Sequence, residues 1–189
     1  MNDNQPPRRY RQHIRLPDYD YSAAGYYFVT LVTLDRALVF DDVRFRDIAE
    51  ASWRWLAKRY QQVELDYFVI MPNHLHGIIA LSGGAPRGGS RAAATRVAAT
   101  RDHKPLGQLI GAFKTVSTKE INRMRGTPGA GVWQLNYYER VVRYERELDA
   151  IRQYIVDNPA KWALDLNNPQ RLALDQRSKG GSRAAATVR

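Results

Sequence analysis

The chain contains no cysteine. That excludes disulfides, thiolate metal ligands and cysteine nucleophiles at once, and it suits a reducing compartment. Acids are in short supply: 19 Asp and Glu face 29 Lys and Arg, for a net charge of +10. An excess of that size bears on partners and solubility rather than on fold. It favours polyanions, and nucleic acid ranks ahead of a membrane surface because no basic amphipathic helix stands out. Long apolar runs are missing too. None approaches the roughly 18 residues that a membrane-spanning helix needs. Residues 1–15 are polar and basic and lack the apolar centre of a secretion signal. The expectation is a soluble, intracellular protein that does not engage a membrane.

With 44% hydrophobic residues, a chain of 189 has material for one core of ordinary size. We place that domain at 20–165, with flexible tails at 1–19 and 166–189. Residues 26–34 (YYFVTLVTL) are β-branched and aromatic and read as a strand. Asp41 and Asp42 can cap a helix over 44–62, whose apolar positions Ile48, Trp55, Leu56 and Tyr60 approximate helical spacing. LDYFVI (65–70) and LHGIIAL (75–81) flank MPNH (71–74), where Pro72-Asn73 signals a hairpin turn. A second helix spans Leu106 to Met124, with Leu106, Leu109, Ile110, Phe113, Ile121 and Met124 on its stripe. Residues 132–143 read as a strand and 145–158 as a helix closed by Pro159. The order predicts an α+β fold: a ferredoxin-like or RRM-like βαββαβ antiparallel sheet backed by two helices, followed by a C-terminal helix.

Residues 82–103 are Gly, Ala, Arg and Thr with almost nothing large, and read as a low-complexity loop. GGSRAAAT occurs there at 88–95 and again at 180–187. A repeat this short is no solenoid unit. It reads as a copied DNA segment translated in frame, disordered and dispensable for chemistry; an ordinary flexible linker whose similarity is chance is the plainer alternative.

Two constellations carry chemistry. Histidine is scarce, yet half of the 4 present are His74 and His76. On a strand, side chains alternate, so these two share a face while Leu75 points to the other. Two imidazoles at that spacing can ligate one divalent ion; a solvent-facing pair of polar histidines is the plainer alternative. The second constellation is Tyr154 and Asn158, four apart on one helix and so neighbours on its surface. Leu148, Ile151 and Ile155 mark that helix's buried stripe, with Tyr154 and Asn158 on its shoulder, where a core-edge packing tyrosine is also a natural reading. A phenol titrates near 10 and needs help to attack phosphorus. A metal that polarises the phosphate supplies that help, and an amide oxygen suits Mg²⁺ or Mn²⁺ beside imidazole.

With these residues in hand, the sequence resembles the single-tyrosine transposases of the HUH endonuclease superfamily, and specifically the REP-associated tyrosine transposases. The HUH pattern, His-hydrophobic-His, is His74-Leu75-His76. YFVIMPNHLHGIIAL (67–81), GAFK (111–114), VWQLNYYERVVR (132–143) and YIVDNPAKW (154–162) carry the likeness, over roughly 20–165. The resemblance implies an enzyme that nicks single-stranded DNA at the foot of a hairpin such as a REP element. It forms a 5′-phosphotyrosine and leaves a 3′-hydroxyl for rejoining. Tyr154 is then the nucleophile, His74 and His76 metal ligands and Asn158 a third, with Mg²⁺ or Mn²⁺ as cofactor. Such a protein would work in the bacterial cytoplasm on nucleoid DNA, as a monomer or homodimer. The insertion at 82–103 departs from some relatives, and DNA contacts there do not carry over.

Lys114, Lys119 and Arg123 on the second helix, with Arg140, Arg143 and Lys161 near the site, are candidate phosphate contacts, each equally at home on a solvated face. Tyr137, Tyr138 and Trp133 can stack unpaired bases, although Trp133 suits a core as well. Tyr137, Tyr138 and Tyr144 also compete as nucleophile, but none has a metal-capable residue four positions on along a helix. Three rivals keep the same residues in other roles. They are an RRM-like single-strand binding module, a phosphohydrolase acting through water, and a domesticated relative that binds repeat DNA without mobilising it.

Overall fold

The computed structural model describes residues 16–82, 103–164 and 168–169. The expectations for the tail at 1–15, the loop at 83–102 and most of 165–189, including both GGSRAAAT copies, lie outside the described residues. Among the described residues four strands and three α-helices follow one another: β1 Gly25–Val32, α1 Val43–Arg59, β2 Val63–Met71, β3 His74–Leu81, α2 Leu106–Arg125, β4 Tyr138–Val142 and α3 Glu145–Lys161. The sheet order is β2-β3-β1-β4, antiparallel at every pairing. That is the ferredoxin-like arrangement the element order predicts.

Alternation along the central strands loads the two sheet faces differently. Tyr27, Val29, Leu31, Leu75 and Ile79 point one way, into a core shared with Trp53 and Leu56 of α1 and Leu109, Ile110 and Phe113 of α2. Phe28 and Ile78 point the other way and pack under Leu148, Ile151 and Ile155 of α3. Leu75 is fully buried in the first core, as its place between two histidines requires. The third helix is thus a second layer on the sheet's other face, the face of His74 and His76.

Local chemistry explains most element ends. Asp42 is the N-cap of α1 and accepts from the Arg44 amide. Gly126, at φ 67°, ends α2 in the left-handed conformation that glycine adopts at no steric cost. The β2–β3 turn is the pair Pro72-Asn73, with Met71 facing His74 in register.

Three expectations need correction. The helix α3 is not closed by Pro159 but runs through it to Lys161. The proline removes one hydrogen-bond donor in the last turn, and the helix still closes through the Trp162 amide, which donates to Pro159 O. The last strand starts at Tyr138, not at 132. Before it the chain makes a single bridge, Thr33 to Trp133. The chain is then captured from the side: Lys114 Nζ donates to the carbonyls of Gln134, Leu135 and Asn136 at 2.7, 3.2 and 3.2 Å. Carbonyls turned toward a helix lysine cannot join a sheet ladder. The first strand stops at Val32. Residues Asp35 and Arg36 beyond it adopt φ of 53° and 55°, where no strand continues.

Gly77 sits between the histidines and the core layer for a steric reason. A Cβ there would lie 2.6 Å from Cζ2 of the fully buried Trp53. Gly77→Ala is expected to destabilise by about 1–3 kcal/mol through overpacking. Urea denaturation checks it, and an unchanged midpoint would mean that Trp53 yields freely.

Candidate active site

The hairpin and α3 bring the two constellations together. Strand register puts Thr30 of β1 beside His76 of β3, and Val32 beside His74. The histidine rings lie 4.6 Å apart, centroid to centroid, at 73°. Both are buried, at 0% exposure for His74 and 4% for His76. The Tyr154 hydroxyl lies 3.1 Å from His76 Nε2. Its side chain keeps 44% exposure, so the ring bridges the buried histidine and the solvent.

One aromatic residue orders this group. Phe28 stacks on His76 at 5.6 Å and 22°, and meets Tyr154 edge-on at 6.1 Å and 87°. Its other neighbour is Tyr138, at 6.4 Å and 69°. Such ring pairs each add about 0.5–1.5 kcal/mol beyond area burial, enough to fix an orientation though not a fold. Tyr154 and Asn158 on α3 and Trp162 just past its end follow at intervals of four and so share one shoulder. Tyr154 meets His76 and Trp162 meets His74, with ring centroids at 5.1 and 5.8 Å respectively. Asn158 lies between them in the helical sequence and is buried.

The electrostatics suit a ligand pair. Burial, and to a lesser degree the neighbouring His74, push the His76 imidazole down to about 3. It is neutral at physiological pH and keeps a lone pair. Asn158 is 4% exposed, and its Oδ1 is buried without a hydrogen-bond partner. An amide oxygen left so costs about 1–3 kcal/mol unless something polar meets it. Among the described residues no cluster of three His, Cys, Asp or Glu can hold a metal. A divalent ion here would draw on two imidazoles and this amide oxygen, a hard–borderline set that fits Mg²⁺ or Mn²⁺.

The basic candidates divide by face. Arg140 shares the histidine face, opposite Phe28 in register, and pairs with Glu147. Arg143 is exposed past the end of β4, and its amide donates to Glu147 Oε2 at 3.2 Å. Lys161 pairs with Asp157 at 3.0 Å on the exposed side of α3. Lys114, Lys119 and Arg123 lie on α2, behind the opposite face. Lys119 and Arg123 line a groove of about 840 Å³ between α2 and residues 126–135. Lys114 is spent on the three carbonyls already named, and burial lowers its ammonium to about 8. Of the stacking candidates, Tyr138 is 46% exposed on the histidine face. Tyr137 packs on the α1–α2 core under Lys114. Trp133 is buried there too, donating to Ser117 Oγ at 2.9 Å.

Sequence reasoning missed Phe28, Thr30 and Trp162, and read Asn73 only as a turn former. The first two owe their place to β1–β3 register, which no local pattern reports. Trp162 carried a signal: it is one more step of four beyond Tyr154 and Asn158.

With this geometry described, comparison with known proteins places the chain. No family model matches it. It is 30% identical to a Haemophilus influenzae protein described only as uncharacterised, over 82% of this chain and 92% of that one. Its fold is similar to that of a REP-associated tyrosine transposase solved bound to a REP hairpin. The TM-score is 0.51 and the identity 17%, over 73% of this chain and 68% of that one.

Burial of His76 sets a pH dependence for the metal-free fold. In the unfolded chain an imidazole titrates near 6.5; folded, His76 titrates at about 3. Across that window the unfolded state binds more protons. Stability is therefore full above roughly pH 6.5 and declines as pH falls toward 3. In chelator, the urea midpoint should drop between about pH 7 and pH 5, more steeply than in His76→Gln. Equal slopes would contradict the assignment.

Proposed function

We propose that this chain, which belongs to the family of the Haemophilus influenzae protein and has the fold of a REP-associated tyrosine transposase, is a metal-dependent single-strand DNA endonuclease and strand transferase. It acts through a phosphotyrosine. The observation that carries the reading is the contact of Tyr154 with His76 at 3.1 Å, one helical turn from the buried, unpartnered Asn158 Oδ1. A packing tyrosine has no need of a histidine pair, and neither has need of a buried amide oxygen without a partner one turn along the same helix. A nucleophile beside a cation site accounts for all three.

A divalent ion, when bound, would polarise the scissile phosphate and lower the basicity needed to engage the phenol. Everything else falls to the chain. Half-exposed Tyr154 presents its hydroxyl to a phosphate at the sheet surface, while Phe28 and His76 fix the ring. The tyrosine oxygen bonds to phosphorus, the bond from phosphorus to O3′ breaks, and the 3′ oxygen leaves as a hydroxyl with the proton the phenol gives up. The phosphate stays on Tyr154 at the 5′ end, and the same exchange in reverse joins a new 3′-hydroxyl. Tyr138 and Arg140 on the same face are the residues we propose for an unpaired base and a neighbouring phosphate. The substrate we propose is a single-stranded DNA hairpin of the REP kind.

An RRM-like binding module remains the second reading, since the sheet topology suits it. On the central strands of this face, though, the polar positions are Thr30, His74 and His76 rather than a pair of exposed rings. The test is incubation of the protein with end-labelled hairpin DNA and Mn²⁺, followed by a denaturing gel. Wild type should form a covalent adduct, and Tyr154→Phe should form none while binding the hairpin within about threefold of wild type. An adduct that persists in the variant would move the nucleophile elsewhere, and binding with no adduct in wild type would favour the module.

A further inference from the structure

Ligation by an imidazole depends on which ring nitrogen carries the proton and on what holds the ring. Both histidines have their Nδ1 engaged by the protein. Asn73 Oδ1 lies 2.8 Å from His74 Nδ1, and Thr30 Oγ1 lies 2.8 Å from His76 Nδ1. We infer that Asn73 and Thr30 are positioning residues that commit Nε2 of both histidines to a divalent cation. This rests on the proposed function only in taking the two histidines as ligands.

The Asn73 amide is fixed from both ends. It is fully buried, and its Nδ2 donates to Arg36 O at 3.2 Å. A flipped amide would set oxygen against that carbonyl and nitrogen against the ring, so Oδ1 must face His74. An amide oxygen only accepts, so His74 carries its proton on Nδ1 and its lone pair on Nε2. The backbone of Asn73 is held as firmly. Its carbonyl accepts from the Thr33 amide at 2.9 Å and from Thr33 Oγ1 at 3.0 Å. The turn Pro72-Asn73 therefore does more than reverse the chain: it seats the first ligand.

Thr30 plays the same part from the sheet's centre. It stands opposite His76 in the β1–β3 register, and a β-branched side chain on a strand has few rotamers in which to stray. The phenol of Tyr154 is a stronger proton donor than an aliphatic hydroxyl. In the metal-free fold it gives its hydrogen bond to His76 Nε2, holding the lone pair that a cation would take in its place, and Nδ1–H donates to Thr30. His76 and His74 thus hold one tautomer, with both Nε2 lone pairs on the side of α3. Partners of this kind typically account for about 10–100-fold in metal affinity.

Titration of the metal-free protein with Mn²⁺, followed by the electron paramagnetic resonance signal of the free ion, tests this without any DNA. Thr30→Val, which keeps the shape and removes the hydroxyl, should weaken Mn²⁺ binding by about 10-fold or more, and Thr30→Ser should restore it. Asn73→Ala should weaken it as well, with a thermal melt to confirm folding. If that variant fails to fold, the threonine pair decides alone. Wild-type affinity in Thr30→Val, with binding lost in His74→Ala, would overturn the positioning role while sparing the metal site. No Mn²⁺ binding by wild type would overturn both.

Discussion

The third helix lies across the face of the sheet opposite the main core, and the candidate chemistry depends on that placement. Leu148, Ile151 and Ile155 bury against Phe28 and Ile78. At about 1.5–3 kcal/mol per fully buried side chain, this stripe outweighs any polar contact in fixing where α3 sits. Arg152 supplies direction rather than energy. Its guanidinium spans Asp66 of β2, at 2.6 Å, and Asp149 of its own helix, at 3.0 Å. A partly exposed pair of this type is worth about 1 kcal/mol or less. It nonetheless locks the rotation of the helix, and rotation decides whether Tyr154 meets His76 or turns to solvent.

The same layer explains the burial that tunes the site. With α3 and Trp162 over them, the histidines are shut from water, and His76 is kept neutral, which is the form that ligates. The cost is visible in Asn158, whose amide oxygen is closed in with no hydrogen-bond partner. A buried polar atom of this kind calls for an explanation, and the cation of the proposed function supplies one. Tyr154, on the open side of the same shoulder, stays half-exposed at the surface. The groove of about 840 Å³ beside α2 lies on the far side of the sheet, so cavity size and the candidate chemistry part company here.

Much of this was legible along the chain. Alternation through His74-Leu75-His76 set the histidines on one face and Leu75 in the core, because period two is a property of any strand. Spacing by four put Tyr154 and Asn158 together for the equivalent helical reason. What stayed hidden was everything set by register and side-chain capture. Thr30 and Phe28 look like ordinary strand residues until β1 is laid beside β3. Lys114 reads as a phosphate contact, yet its ammonium folds inward onto three carbonyls, dissolving half of the strand expected at 132–143. Tyr137 and Tyr138, adjacent in sequence, end on opposite faces, and only the second lies near the histidines.

The claim at the centre is that one particular phenol takes up DNA. Mass spectrometry of the covalent adduct after trypsin digestion addresses it directly, because Tyr154 falls in a different peptide from each of its rivals. The account predicts nucleotide mass on the peptide spanning 153–161, which holds Tyr154 as its only tyrosine. Nucleotide on the peptide 126–140, with Tyr137 and Tyr138, or on 144–146, with Tyr144, would contradict it.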